Sequence, residues 1–412
     1  MLEQNPDPLK GPAVPGPGPG ASAARQDIPA PVRILIAPDK FKGCLTAAEV
    51  AAAIRSGIES AGSGARPQVT VLPLADGGDG SVEAAVSAGF RSLSVEVQDA
   101  DGLARPAGIA FDGTTAVVEV AGTCGLATLR GPLRPLTASS RGLGEAMLAA
   151  ALLKPKRLVV ALGGSASTDG GAGMLAALGV QFKDADGGLV EPSGGELERI
   201  VAVDFSNAVD FAGIEIVGAS DVTNRLRGPD GAAHVFGPQK GAGAATVAQL
   251  DAGLSGLVET CRGIPGLDPE TLADRPGAGS AGGIGFGLLL LGGSLVSGAD
   301  YFLDLLGFDG QVRESDLLIT GEGRLDAQTA DGKLISAVCA RAEGTPVWAV
   351  VGCSTLDGPA ARELGLEDVV ALQDLSALDT SKDPAAAAVL LRQAGRDIIH
   401  QVGALPVNVS SV

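Results

Sequence analysis

Histidine and aromatic side chains are the scarcest chemistry in this chain, with two histidines, one tryptophan, one tyrosine and ten phenylalanines among 412 residues. His234 and His400 sit in no recognisable catalytic setting, which argues against a histidine-rich metal site and leaves a Ser-His-Asp hydrolase supported by count alone. An aromatic share of 3% argues against a β-sandwich, whose core favours large rings. It suits small-residue helices packed on a parallel sheet. Cysteine is sparse and unpatterned: Cys44, Cys124, Cys261, Cys339 and Cys353 show no CxxC spacing and are odd in number. They read as reduced thiols in a cytoplasmic protein. Positive charge is short as well, with 30 Lys and Arg against 48 Asp and Glu and a net charge of −18. Neither a nucleic-acid backbone nor an anionic membrane surface is a fitting partner for that balance, although a few local lysines still suffice for a small anionic substrate. The one long run without charge, Gly277–Ala299, is interrupted by glycines from Gly279 to Gly293 and lacks flanking anchors. It reads as a buried glycine-rich loop and helix, not a membrane span.

What is abundant is small and apolar. Apolar residues make up 45% of a chain long enough for two domains, each with its own core. Residues 1–30, rich in Pro, Gly and Ala, lack the continuous apolar core of a secretory signal and read as a disordered extension. From Arg33 the pattern is strand, charged glycine-containing loop, helix. RILIA leads through Asp39, Lys40 and Lys42 to Thr46, an N-cap with Glu49 in capping-box position and a helix over Ala47–Ile58. Val69–Leu72 leads through LADGGDGS, with Asp76 and Asp79, to a helix at Ser81–Ser87. Such βα units build a doubly wound sheet, whose ligands gather at the carboxyl ends of strands. Between Arg91 and Leu129 the pattern changes to alternating strands at Ser92–Val97 and Ala116–Ala121 around a turn-rich stretch, suggesting antiparallel structure and a domain change. The βα rhythm resumes with strands at Leu317–Thr320, Pro346–Val351 and Val369–Leu372 and a last helix over Asp383–His400.

The stretch Arg157–Met174, RLVVALGGSASTDGGAGM, combines a buried strand with a loop of Gly163, Gly164, Gly170, Gly171 and Gly173 interleaved with Ser165 and Asp169. Glycines allow backbone N–H groups to approach a phosphate, and the following helix start adds partial positive charge. Three further loops pair carboxylates with glycines: Asp76 with Asp79, Asp221 in a long polar loop, and Glu322 with Asp326. Lys40, Lys42 and Lys240 lie in comparable positions. Carboxylates to hold Mg²⁺ and accept a hydroxyl proton, with lysines and N–H groups to neutralise phosphate, are the mixture phosphoryl transfer needs. The established nucleotide motifs GxxxxGK[ST], HRD and DFG are absent. A formal GxGxxG at Gly277, Gly279 and Gly282 suggests an NAD(P)-dependent oxidoreductase as a rival, but Pro276 precedes it and no strand does. A non-catalytic small-molecule binder on the same fold is the other rival.

The blocks IAPDKFKGCLTA, LADGGDGS, TASSRGLGE, ALGGSASTDGGAGM, DVTNRLRGPDGAAHVFGPQKGA, GAGSAGGIGFG and LLITGEGRLDAQTADGK resemble, in order, those of bacterial glycerate kinases of the first type, the glycerate 2-kinase family. The resemblance spans roughly Arg33 to Leu372. It implies ATP- and Mg²⁺-dependent phosphorylation of D-glycerate to 2-phosphoglycerate; with the charge balance, a monomer or homodimer that binds neither nucleic acid nor membrane is expected. It also implies a two-domain α/β fold. A flavodoxin- or Rossmann-like parallel-sheet domain (31–90 and 295–405) is split by an inserted α/β domain (91–294). Lys40 and Cys44 stand where serine is frequent in the family, and ASTDGG replaces a common ATNDGG. We expect the site in a cleft between the domains, with Lys40 claiming no family-wide role. Lys40 and Lys42 would meet the glycerate carboxylate or the transferring phosphate. Gly163, Gly164, Ser165, Gly170 and Gly171, with Gly279, Gly282, Gly283 and Lys240, would bind the nucleotide phosphates. Asp221, Glu322 or Asp326 would bind Mg²⁺. Asp39, Asp76 and Asp169 are the candidate bases, and sequence does not separate them. A kinase of another short hydroxy acid, or one yielding 3-phosphoglycerate, fits the same residues.

Overall fold

In the strand Arg33–Pro38, Ile34 and Ile36 enter one core while Leu35 and Ala37 enter another. Side chains alternate across a strand, so apolar residues at every position mean that both faces are covered. The same holds for Arg157–Ala161, where Leu158 and Val160 face one core and Val159 and Ala161 the other. The computed structural model describes residues 31–61, 66–327 and 334–402, so the expected N-terminal extension and residues 403–405 lie outside the described residues.

The first of two main sheets is parallel, with five strands in the spatial order Gln68–Val71, Arg33–Pro38, Leu317–Gly321, Val347–Val351, Asp368–Ala371. Numbered along the chain, that order is 2-1-3-4-5, the flavodoxin-like arrangement, with its topological switch point between Arg33–Pro38 and Leu317–Gly321. The second sheet has six strands. Arg91–Gln98, Ala104–Phe111 and Thr115–Glu119 form an antiparallel meander. Thr115–Glu119, Arg157–Ala161, Glu215–Ala219 and Ser294–Val296 continue it as a parallel array. The two-domain α/β class expected from the sequence is the observed one.

Helices Ala47–Ser60 and Pro384–Val402 cover the outer face of the first sheet. Thr46 and Glu49 form the anticipated capping box, and Asp383 Oδ1 accepts the Ala386 N–H at 3.0 Å. Helices Arg141–Leu152, Ala172–Ala177, Ala244–Cys261 and Ser280–Leu290 cover the outer face of the second. Between the sheets lies one shared core, in which Leu35 and Leu318 of the first meet Val117 and Val159 of the second through helices Ser81–Ser87, Gly298–Leu305 and Phe308–Arg313. An apolar seam this continuous packs the two halves against each other.

Sequence and structure differ in three places. The turn-rich stretch after Gln98 is short, and Ala104–Phe111 is a strand of its own, because Pro106 and Gly108 are tolerated in a hairpin whose apolar face is buried. The expected strand Ala116–Ala121 ends at Glu119 and turns into the helix Val120–Cys124. The boundary proposed at 294/295 falls inside the strand Ser294–Val296, which pairs with Glu215–Ala219, so the chain leaves the second sheet only after Val296. Among the described residues no helix is long and apolar enough to cross a membrane. The stretch from Gly277 is the anticipated buried loop and helix. Ala281, Gly282 and Gly283 have left-handed φ values of 52°, 72° and 93° that kink its start.

Candidate active site

The switch point positions the charged loops. After Pro38, the Asp39 N–H donates to Gly321 O at 2.8 Å, tying the first loop to the end of the neighbouring strand. A tight turn follows, in which Phe41 and Leu45 exchange backbone hydrogen bonds at 2.8 and 3.0 Å, and it presents Lys40 and Lys42. From the second strand the chain runs on to Asp76, whose Oδ1 accepts the Gly78 N–H at 3.0 Å in an Asx turn. The two loops meet at Lys40. Its Nζ lies 3.2 Å from Asp39 Oδ1 and 3.5 Å from Asp76 Oδ1, with side-chain exposures of 14%, 16% and 43% for Lys40, Asp39 and Asp76.

Burial and crowding set the charges here. Burial, with Asp76 beside it, pushes the Asp39 carboxyl up to about 6, even though Lys40 pulls the other way. Burial works against the Lys40 ammonium, but Asp76, Asp39 and Asp79 together hold it above its ordinary value. Glu119, at the end of the central strand of the second sheet, accepts the Val82 N–H at 3.0 Å. Burial, aided by Asp79, pushes its carboxyl up to about 7.

The glycine loop of the second sheet closes the opposite side. A Cβ on Gly163 would stand 2.5 Å from Gly78 Cα, so only glycine lets the two loops touch. Between them and the ends of the first sheet opens a cleft of about 890 Å³. Asp39, Lys40, Lys42, Asp76, Gly163, Gly164 and Glu322 all line it.

Other expected site residues lie elsewhere. Asp169 is fully buried; its oxygens accept Ser140 N–H and Oγ–H at 2.8 and 2.7 Å and the N–H groups of Gly171 and Gly173 at 3.1 and 3.2 Å. Lys240 is also buried, donating to Ser165 Oγ at 2.8 Å and Ser167 O at 2.5 Å, and burial lowers its ammonium to about 8. Gly282 packs on the same Ser167 carbonyl, where a Cβ would stand 2.0 Å away; Gly170 N–H donates to Gly282 O at 3.0 Å. Gly283 and Gly171 complete that contact between loops, and Gly279 N–H donates to Asn224 O at 2.9 Å. This set braces the glycine loop from behind. Asp221 Oδ1 accepts from Ser297 Oγ at 3.1 Å and Gly298 N at 2.8 Å, capping helix Gly298–Leu305. Asp326 accepts from Arg324 Nε at 3.2 Å.

One part of the cleft escaped sequence reading. The segment Ser376–Ser381 lines it, and only its small polar composition hints at a loop. The GxGxxG at Gly277 follows the helix Pro269–Ala273, not a strand, so it lacks the setting of a dinucleotide fold.

The model of the glycerate kinase family matches residues 34–403. A Bacillus subtilis protein named glycerate kinase is 39% identical over 345 residues, covering 82% of this chain and 89% of its own. An Escherichia coli glycerate 2-kinase is 37% identical over 363 residues, 84% and 92% of the respective chains. A crystal structure from Salmonella typhimurium LT2, provisionally named glycerate kinase 2, superposes with a TM-score of 0.75 at 33% identity, covering 90% of this chain and 98% of that one. With a match that spans nearly every described element, the chain belongs to the glycerate kinase family, a family of kinases.

Proposed function

We propose that this protein transfers the γ-phosphoryl group of ATP to the 2-hydroxyl of D-glycerate, giving 2-phosphoglycerate and ADP. The observation that carries the reading is the ammonium of Lys40 held between Asp39 and Asp76 where the strand ends of both sheets meet. The glycerate hydroxyl oxygen bonds to the γ-phosphorus, the bond to the ADP oxygen breaks, and the hydroxyl proton passes to a carboxylate. Asp39 is the best placed of the three candidate bases. A carboxyl near 6 is ionised at neutral pH yet basic enough to take a proton. Lys40 offsets the charge spread over the transferring group, and Lys42 faces the substrate carboxylate. Backbone N–H groups at Gly163 and Gly164 contact the phosphates, while Asp169, Lys240 and Gly282 act by holding that loop in place.

Mg²⁺ binds nucleotides through one or two carboxylates, the phosphates and water, so it does not need a preformed protein cage. The hard oxygen donor of Glu322 in the cleft fits that demand, whereas among the described residues no group of three metal-binding side chains is assembled. Glu322 would hold the ion. Bound there, it supplies neutralisation of phosphate charge.

Turnover of ATP to ADP with D-glycerate, followed by phosphorus NMR of the product, tests the proposal. 2-Phosphoglycerate is the expected product. Exclusive 3-phosphoglycerate, or no D-glycerate-dependent turnover, overturns it.

A further inference from the structure

Three of the edge strands of the two main sheets are short: Gln68–Val71 and Asp368–Ala371 in the first sheet, Ser294–Val296 in the second. The remaining edge, Arg91–Gln98, is eight residues long and reads RSLSVEVQ. Folded proteins guard a long edge with proline, lysine, a bulge or a covering segment. This strand has no proline, lysine or glycine, and its register with Ala104–Phe111 runs without a bulge from Arg91↔Phe111 to Gln98↔Ala104. The ladder also fixes which backbone groups face outward, because residues of an antiparallel pair alternately exchange hydrogen bonds and turn them away. Just past the strand, Asp99 N–H donates to Leu103 O at 2.7 Å, so Asp99, Val97, Val95, Leu93 and Arg91 bond toward the neighbouring strand. Gln98, Glu96, Ser94 and Ser92 therefore turn N–H and C=O to the open side. Gln98 agrees with that phase: its N–H donates outward to Glu145 Oε2 at 2.7 Å, where helix Arg141–Leu152 ends the open stretch. Pro106 agrees too, since it stands opposite Glu96, where the ladder asks for no N–H. Ser92, Ser94 and Glu96 are exposed, and no other strand among the described residues pairs with them.

A second copy of the chain fits this edge, and one register fits best. A two-fold axis through Ser94 sets Ser94 opposite the partner's Ser94 and, on either side, Ser92 opposite the partner's Glu96; each such pair exchanges two backbone hydrogen bonds. On one face Leu93 meets the partner's Val95, extending the apolar surface with which both already pack on the core of the second sheet. On the other face the Glu96 carboxylate meets a serine hydroxyl, and no like charges stand opposite each other. Moving the axis to Glu96 opposes two carboxylates and calls on Gln98, whose N–H is taken. Moving it to Ser92 calls on Phe90, whose N–H donates to Ala85 O at 3.1 Å. An axis at Leu93 or Val95 loses one of the hydrogen-bonded pairs.

We infer that two copies of this chain form a two-fold dimer by antiparallel pairing of Arg91–Gln98 with itself about Ser94, joining their six-stranded sheets into one. Sedimentation of the full chain should give twice the 40.7 kDa of a single copy. Ser94→Lys sets two ammonium groups across the axis and should weaken dimerisation at least about tenfold while circular dichroism stays native. Cysteine placement reads the register. Ser94→Cys puts two thiols on residues about 5.5 Å apart at Cα, within disulfide reach, and should cross-link with diamide well above the wild-type background. Ser92→Cys, about 13 Å along the strand from its own copy, should not. A wild-type chain that stays at 40.7 kDa up to about 100 μM overturns the inference. So does a dimer that Ser94→Lys leaves intact, or cross-linking of Ser92→Cys as complete as that of Ser94→Cys. Should Ser94→Lys fail to fold, the two cysteine variants decide.

Discussion

Replacing Asp39 by Asn should make the protein more stable and nearly inactive, and the two effects have one cause. The Asp39 carboxyl sits at about 6 against an ordinary 3.8. At about 1.4 kcal/mol per pH unit, keeping it ionised in the fold costs about 3 kcal/mol. For an acid raised in this way the folded state holds the proton more tightly than the unfolded state. The stabilisation is therefore present in full below 3.8 and is lost as the pH rises through about 6. At pH 7.5 the amide removes the cost but also takes one partner from Lys40, which keeps Asp76 at 3.5 Å. The net gain expected is about 1–2 kcal/mol, read as a higher denaturant midpoint at unchanged slope. The gain should shrink steadily between pH 6 and pH 4. Turnover should fall about 10²–10⁴-fold with little change in nucleotide affinity, since only proton removal is lost. A variant less stable than wild type at pH 7.5 would refute the burial argument, and one with turnover within threefold of wild type would refute the assignment of the base.

Glu119→Gln keeps an acceptor for Val82 N–H while removing a carboxyl raised to about 7, so it should stabilise by roughly 1–3 kcal/mol at pH 8 and by nothing below pH 4.5, measured by urea unfolding at both. Gly163→Ala forces a methyl to within 2.5 Å of Gly78 Cα, and the two loops must part; turnover should drop by at least about tenfold while circular dichroism stays native. Asp169→Ala strands buried donors from Ser140, Gly171 and Gly173 and should cost about 3–5 kcal/mol of stability. Its folded fraction should retain turnover within about tenfold, because Asp169 supports the glycine loop from the interior; loss of turnover at full stability would return Asp169 to the list of bases.

Much of the fold could be read along the chain. RILIA, RLVVA and LLITG are apolar at every position because both faces of a parallel sheet are covered, and that pattern is local. Thr46 with Glu49 marked a helix start for the same reason: a cap is satisfied within four residues. Ala104–Phe111 was less legible, since its Pro and Gly read as turn residues until a neighbouring strand supplies the pairing. The site divides along the same line. Asp39, Lys40, Lys42 and Asp76 could be singled out because each follows a strand. Asp169 and Lys240 carried the same signature and are buried among hydrogen-bond partners, because burial depends on what packs over a loop.

The sequence by itself determined the strands, the caps, the order of the glycine loops and the family, all of which depend on residue type and spacing over short distances. The tertiary structure decided which loops share a cleft. Asp39 and Asp76 are at least 87 residues removed in the chain from Gly163, and only the 2-1-3-4-5 strand order and the core shared by two sheets bring their strand ends together. It also decided the charge each group carries, since a carboxyl near 6 arises from burial and neighbours that no linear spacing encodes.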